Sequence, residues 1–152
     1  MTDPTHRPAE DVSYLTFTLA DQLCAVPVPC VRDVLAPQVV TRIPLATREI
    51  AGSLNLRGRI VTAIDLRRRL GLADSLEPRM SVVTEQGGEL YALLVDAVQE
   101  VLSLSSAEIE RNPPTLPPPW SGYSAGVCRR PDALLVLLDV ARLLLLAPEI
   151  AA

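Results

Sequence analysis

The stretch "SLNLRGRIVTAIDLRRRLGL", residues 53 to 72, contains the signals that decide the fold. Its run from Ile60 to Ile64 is apolar on both faces of an extended chain, which is typical of a strand inside a sheet. Asp65 follows at once, and aspartate is a favoured N-cap of a helix. The helix formers "LRRRL" come next, and then Gly71, a common helix stop. The stretch therefore predicts a central strand that runs into a short helix.

The three consecutive arginines, residues 67 to 69, have two interpretations. They could form a phosphate site, or they could lie near the C-terminal end of the short helix, where positive charge complements the helix dipole. The later segment "LLVLLDVARLL", residues 134 to 144, repeats the apolar run, the aspartate and one of the arginines, but lacks the other two. The repeat favours the structural interpretation, with Asp65 and Asp139 as equivalent caps.

A second pair of segments shows that the repeat extends along the chain. "LCAVPVPCVRDVL", residues 23 to 35, aligns without a gap with "LYALLVDAVQEVL", residues 90 to 102. The second half has extra residues in the Pro-rich stretch "RNPPTLPPPW", residues 111 to 120. We therefore predict one domain at 14–147 with two related subdomain halves, about 14–79 and 80–147. Residues 1–13 and 148–152 are interpreted as tails.

Further strands are predicted from short patterns. "YLTFTL" alternates apolar and polar side chains, as a half-buried strand does. In "EQGGELYALLV", Gly87 and Gly88 predict a tight turn before a strand. The run Leu134 to Leu138 is apolar on both faces and should be central. "DAVQEVLSL" is ambiguous, because its apolar residues also fit a helical period; we favour a strand, since its valines are β-branched.

Composition excludes several functions. The chain has 152 residues, of which 49% are hydrophobic and 21% charged, as in a globular domain. A net charge of −4 argues against general nucleic-acid binding, which depends on neutralising phosphates. The most apolar window, residues 133–147, is interrupted by Asp139 and Arg142 and is shorter than the ~20 residues of a membrane span. We therefore expect a cytoplasmic protein without direct membrane insertion.

Catalysis and metal binding are not expected. The three cysteines and the single histidine, His6, do not make a zinc ligand set, and the thiols are interpreted as structural. Asp65, Asp96 and Asp139 could pair for acid–base chemistry, but the chain has no catalytic motif to accompany them. The segment "PTLP" fits a P-x-x-P ligand pattern, although a fixed connector is the favoured interpretation. We predict no enzyme and no cofactor.

Four segments together resemble the CheW family of bacterial chemotaxis coupling proteins. They are "VTRIP" at 40–44, "IAGSLNLRGRIVTAIDLRRRLGL", "LLVDAVQEVLSLSSAEI" and "AGVCRRPDALLVLLDVARLL", and the resemblance runs from about Tyr14 to Leu146. It implies a mainly β fold of two intertwined five-stranded SH3-like β-barrels with short helices and a shared core. It also implies a non-catalytic coupler at receptor arrays on the inner face of the membrane. Such a coupler links the cytoplasmic tips of methyl-accepting chemoreceptors to the regulatory domain of the histidine kinase CheA.

The resemblance also implies partner-binding residues. They are Val31, Asp33, Val34, Gly52, Asn55, Leu56, Arg57, Gly58, Val82 and Val83. Each has a structural alternative: Val34 and Val83 could be core residues, Asp33 a solvated charge, and the glycines turn residues. A different function also remains open, namely a CheW-type adaptor for another kinase or receptor system in surface motility or development.

Arg57 is the residue from which we expect most. If Leu56 and Ile60 face inward and Gly58 allows a turn, the Arg57 side chain points outward from a rigid base. A guanidinium held in this way suits recognition of carboxylates or carbonyls on a receptor helix. The alternative is that Arg57 bonds back to its own subdomain and only fixes the turn.

Overall fold

The computed structural model describes residues 11–145, which form ten strands and three one-turn helices. The strands are β1 Val12–Leu19, β2 Gln22–Pro27, β3 Val31–Leu35, β4 Ile50–Leu56, β5 Arg59–Asp65, β6 Met80–Gln86, β7 Glu89–Val95, β8 Ala97–Leu104, β9 Ser124–Arg129 and β10 Leu134–Leu138. The helices are α1 Leu66–Arg69, α2 Trp120–Tyr123 and α3 Val140–Leu143. Residues 1–10 and 146–152 lie outside the described residues, and so does the predicted tail at 148–152.

The strands form two five-stranded sheets. Equivalent strands of the two repeats, β1–β5 and β6–β10, occupy equivalent positions in them. The first sheet has the order β8-β1-β2-β10-β9, and the second has the order β3-β6-β7-β5-β4. Most neighbours are antiparallel, but β10 pairs with β2 and β5 pairs with β7 in parallel. Strands β5 and β10 are therefore internal, as their two-sided apolar pattern predicts. Strand β1 begins at Val12, two residues inside the segment interpreted as the N-terminal tail.

The sheets do not follow the predicted halves at 14–79 and 80–147. The second sheet takes three strands from the first half and the hairpin β6–β7 from the second, while the first sheet takes the hairpin β1–β2 from the first half and three strands from the second. The two repeats therefore exchange hairpins. The parallel pairs β5–β7 and β2–β10 join each exchanged hairpin to its new sheet. The two halves are thus intertwined, and a repeat in sequence does not reveal which strands pair.

Three apolar clusters explain why the sheets stay together. The largest lies between the sheets and includes Phe17, Ile64, Val82, Leu93 and Leu138, each no more than 1% exposed. A second cluster fills the interior of the second sheet, and a third fills the interior of the first. Burial of this apolar surface is the main favourable contribution to folding. It places the shared core at the junction of the two sheets.

The short-range predictions agree with the structure. Asp65 accepts a hydrogen bond from the backbone N–H of Arg68, and Asp139 accepts one from Arg142, so both are the predicted N-caps. Gly87 and Gly88 form the β6–β7 turn with φ of 61° and 82°. The ambiguous segment "DAVQEVLSL" is strand β8, as favoured. In the Pro-rich stretch, Leu116 and Trp120 pack against the shared core.

Candidate functional site

The structure brings Asp33 and Arg57 together from distant parts of the sequence. Asp33 lies on β3 and Arg57 lies in the β4–β5 turn, so they belong to the two edge strands of the second sheet. The Arg57 Nη1 atom is 2.8 Å from Asp33 Oδ2, and the side chains are 76% and 23% exposed. The Arg57 side chain therefore points outward, as predicted, and it also bonds back to its own sheet, as in the alternative. The pair leaves most of the guanidinium facing solvent.

The turn that carries Arg57 is rigid. Arg57 has φ of 51° and Gly58 has φ of 87°, which is the backbone of a tight hairpin turn with both central residues in the left-handed region. The Asn55 side chain closes the turn by accepting a hydrogen bond from the Gly58 N–H at 2.8 Å. Asn55 and Gly58 thus hold the position from which Arg57 projects. We name Asp33, Asn55, Arg57, Gly58 and Ile60 the hairpin-tip surface.

Ile60 was predicted to face inward, and this prediction was wrong. Its side chain is 73% exposed, whereas the next residue, Val61, is fully buried. Adjacent strand residues point to opposite faces, so only one of the two could enter the sheet interior. Because both are apolar, the sequence alone does not show which of the two side chains faces the interior of the sheet. The result is an exposed aliphatic side chain opposite Asn55 in the strand register.

The predicted valines of β3 and β6 have different surroundings. Val34 is 37% exposed, whereas Val31 packs partly against the shared core. Val82 and Val83 are both fully buried, the first in the shared core and the second in the interior of the second sheet. Neither side chain reaches the surface, which agrees with the structural alternative of a core position given for Val83.

Leu56 and Gly52 have structural roles in the same sheet. Leu56 packs against the apolar cluster inside the second sheet. Gly52 is buried with φ of 148°, and a Cβ atom there would lie 2.1 Å from the Thr41 carbonyl oxygen. The close approach lets Thr41 and Ser53 exchange two backbone hydrogen bonds of 2.8 Å. Gly52 therefore fixes the loop between β3 and β4 onto β4.

A buried polar cluster lies at the junction of the two sheets. Asp65 is 4% exposed and accepts a hydrogen bond of 2.7 Å from Arg79 in addition to its capping bond. Arg67 binds both oxygens of Asp96, at 2.8 and 2.6 Å, and Asp96 also accepts a bond from the Ala20 N–H. Asp96 stands between β7 and β8, and Ala20 stands between β1 and β2. The cluster therefore fastens the sheets to each other.

Charge interactions set the protonation of this cluster. Burial, the largest single influence, raises the pKa of Asp96, but the hydrogen bonds from Arg67 and from Ala20 together hold that pKa below its usual range. Asp96 is then an anion at neutral pH and cannot act as a general acid. Burial also raises the pKa of the Cys24 thiol, with the charge of Asp96 adding to the effect. Cys24 stays protonated and lacks the thiolate that a nucleophile needs.

The two other arginines of the run at 67 to 69 also have intramolecular partners. Arg68 binds Asp74 at 3.2 Å, and Arg69 donates to the carbonyl oxygens of Leu143 and Leu145 while its guanidinium lies 5.0 Å from the Tyr123 ring centroid. All three arginines of the run therefore have structural partners. Among residues 11–145, no group of His, Cys, Asp or Glu is arranged to hold a metal ion. In the same range, no helix is long and apolar enough to cross a membrane.

Comparisons with known proteins agree with this geometry. The model of the CheW-like domain matches residues 13–147. The chemotaxis protein CheW of Klebsiella aerogenes is 31% identical over 134 residues, which are 86% of this chain and 80% of that protein. The chemotaxis protein CheW of Rhizobium meliloti is 26% identical over 128 residues, or 83% of each chain.

A solved structure extends the likeness to the fold. The crystal structure of the scaffolding protein TtCheW from Thermoanaerobacter tengcongensis superimposes with a TM-score of 0.77 at 27% identity, covering 85% of this chain and 89% of that one. The prediction of two five-stranded SH3-like barrels with few short helices is confirmed. On the family model and the relatives together, the chain belongs to the CheW family.

Proposed function

We propose that this protein is a chemotaxis coupling scaffold that links the cytoplasmic tips of chemoreceptors to the regulatory domain of a CheA-type histidine kinase. It acts in the cytoplasm, at receptor arrays on the inner face of the membrane, and works by binding alone, without catalysis. The relatives reported above are named as chemotaxis proteins, and the solved neighbour is named as a scaffolding protein. These names favour chemotaxis over the alternative of surface motility or development.

The observation that carries the proposal is the Asp33–Arg57 pair at the hairpin-tip surface. A guanidinium that is 76% exposed is a poor stabilising element, because exposed ion pairs contribute about 0–1 kcal/mol. It is a good recognition element, since a planar group with several free N–H donors binds carboxylates and carbonyls with defined geometry. Asp33 fixes one edge of the guanidinium and leaves the other N–H groups for a partner. We assign Arg57 to the receptor contact on this ground.

The test of this assignment is Arg57→Ala in reconstituted receptor arrays. Because Arg57 is exposed, the variant should lose no more than about 0.5–1 kcal/mol of stability. It should bind the kinase regulatory domain normally but fail to support receptor-dependent kinase activation. Arg129→Ala is the matched control, since Arg129 is a similarly exposed arginine, at 71%, in an ion pair with Glu110 on the other sheet, and it should leave activation unchanged. Normal activation by Arg57→Ala, or a large drop in its melting temperature, would refute the assignment.

A separate surface is proposed for the kinase. Val34 presents an apolar side chain at 37% exposure and lies opposite the buried Val82 in the β3–β6 register. We expect an affinity in the micromolar range, about −8 kcal/mol, as in transient signalling complexes. Val34→Asp should abolish binding of the kinase regulatory domain in calorimetry while the circular dichroism spectrum is kept. A folded Val34→Asp variant with unchanged affinity would show that the kinase binds elsewhere.

A further inference from the structure

The loop between β3 and β4, residues 36–49, borders a pocket of about 340 Å³ with a marked charge asymmetry. Arg42, Arg48 and Arg68 line this pocket, and no acidic side chain does. The protein as a whole is acidic, with a net charge of −4, so a pocket lined by three arginines departs from the general surface. The shape and charge are those of a site for an oxyanion such as a carboxylate.

The ion pairs of the three arginines leave positive charge unneutralised. Arg68 and Arg48 share the carboxylate of Asp74, at 3.2 and 3.7 Å, and Asp74 is half exposed outside the pocket lining. Arg68 also lies 3.5 Å from Asp65, whose carboxylate is shared with Arg79. Arg42 forms no ion pair with any other described residue. Asp74 therefore demonstrates that two of these guanidiniums can hold one carboxylate, while the charge of Arg42 remains available.

One residue of the pocket lining carries a hydroxyl suited to the same ligand. The Oγ1 atom of Thr47 is buried and has no hydrogen-bond partner among the described residues, and Thr47 is part of the pocket lining. A buried hydroxyl without a partner costs roughly 1–3 kcal/mol, so buried polar side chains are rarely left so. A carboxylate oxygen in the pocket would accept its hydrogen bond.

The same loop exposes aliphatic side chains beside the arginines. Val39 and Leu45 are 88% and fully exposed, and Ile43 is 40% exposed. Leu45 also has φ of 63°, a conformation that costs a residue with a Cβ roughly 1–2 kcal/mol. Folding gains nothing from a strained, fully exposed leucine, whereas a binding surface gains an apolar contact. The loop therefore places the arginine pocket beside an exposed apolar surface formed by Val39, Ile43 and Leu45, which we name the apolar crest.

We propose that the β3–β4 loop, with Arg68, is a docking site for an acidic segment of a partner protein that places a carboxylate in the arginine pocket and an aliphatic side chain against Leu45. The apolar crest favours such a segment over a free oxyanion. The site is independent of the hairpin-tip surface, because the two lie at opposite ends of β4, roughly 20 Å apart for a strand of this length. It therefore goes beyond the proposed function and does not depend on it.

The test is fluorescence anisotropy with two labelled hexapeptides, ELEELE and its uncharged control QLQQLQ. Wild-type protein should bind the acidic peptide at least tenfold more tightly than the control. Arg42→Glu should weaken this binding at least tenfold, whereas Arg111→Glu, an equal charge change at another exposed arginine, should not. Asp74→Asn should tighten it severalfold, because an internal competitor is removed. Leu45→Ser should weaken it, and Arg57→Ala, at the hairpin tip, should leave it unchanged.

Several outcomes would overturn the proposal. Equal affinity for the two peptides, or equal losses in Arg42→Glu and Arg111→Glu, would exclude a specific carboxylate site. Complete displacement of the peptide by millimolar inorganic phosphate, together with no effect of Leu45→Ser, would identify a free oxyanion as the ligand. Binding to phosphatidylglycerol vesicles that depends on Arg42 and Leu45, without peptide binding, would identify a lipid surface instead. Failure of the receptor-coupling test at Arg57 would not affect any of these results.

Discussion

Replacement of Gly52 by alanine should destabilise the protein far more than the loss of one glycine usually does. The new Cβ atom would lie 2.1 Å from the Thr41 carbonyl oxygen and 2.7 Å from its carbon, so the backbone of the β3–β4 loop must move by about 1.3 Å or more to reach ordinary van der Waals contact. That movement breaks the two Thr41–Ser53 hydrogen bonds, each contributing about 0.5–1.5 kcal/mol. A φ of 148° adds about 1–3 kcal/mol for a residue with a side chain. The expected loss is about 2–6 kcal/mol.

Two other glycines allow the stability cost of Gly52→Ala to be compared with other glycine replacements in the same protein. Gly58 has φ of 87° but open space around its Cβ position, so Gly58→Ala should cost only about 1 kcal/mol. Gly126 is the equivalent of Gly52 in the second repeat, and its Cβ would meet an Ile109 methyl at 2.9 Å and the Glu110 carbonyl oxygen at 3.0 Å. Its cost should fall between the other two, because a side-chain methyl can shift more readily than a backbone carbonyl.

Urea unfolding of the three variants measures the order directly. Gly52→Ala should be the least stable variant and Gly58→Ala the most stable, and the unfolding free energy of all three should fall with the same slope against urea concentration. This order would be refuted if Gly52→Ala unfolded within about 1 kcal/mol of Gly58→Ala. The result also bears on function, because a Gly52 variant that loses coupling has first lost the attachment of its loop, so a contact role for Gly52 does not follow from lost coupling.

Two predictions concern the polar cluster at the junction of the two sheets, which contains Asp65, Arg79, Arg67 and Asp96. Asp65→Ala should cost about 3–5 kcal/mol in chemical denaturation, because it leaves the buried Arg79 guanidinium unpaired, whereas Asp139→Ala should cost about 1 kcal/mol for its lost cap; equal losses would contradict this. Because the folded-state pKa of Asp96 is lowered, its stabilisation is complete above about pH 4 and is lost as the pH falls through that lower pKa. Asp96→Asn should therefore be less stable at neutral pH, and its unfolding free energy should vary less with pH below about 4; an unchanged pH dependence would show that Arg67 contributes little through this pair.

Local signals in the sequence were sufficient for the elements but not for their assembly. The two-sided apolar runs, the capping aspartates and the Gly87–Gly88 turn each depend on neighbouring residues, and the structure has them as predicted. The ion pair between Asp33 and Arg57 depends on the closure of one sheet by its two edge strands, which no short segment encodes. The resemblance singled out both residues without indicating that they touch.

Consecutive apolar residues were the other source of error. Val82 and Val83 point to opposite faces of β6, yet both are buried, because this strand has an apolar cluster on each side. Ile60 and Val61 also point to opposite faces, but only the interior side is covered at that end of β5. A pattern of adjacent apolar residues cannot distinguish these two cases. The distinction depends on where the other sheet ends, which is a property of the tertiary packing.

Because the two repeats exchange hairpins, the connections within the chain set the distance between the two barrels. Each barrel is two strands short until the other repeat supplies its hairpin, so neither barrel can form alone. Short connections, such as the single residue Asp96 between β7 and β8, and the shared core hold the two barrels together. A partner bound to one barrel and a partner bound to the other are then held at a fixed separation, as by a rigid spacer. In a lattice of many copies, that spacing would be the same at every position, whatever the strength of the individual contacts.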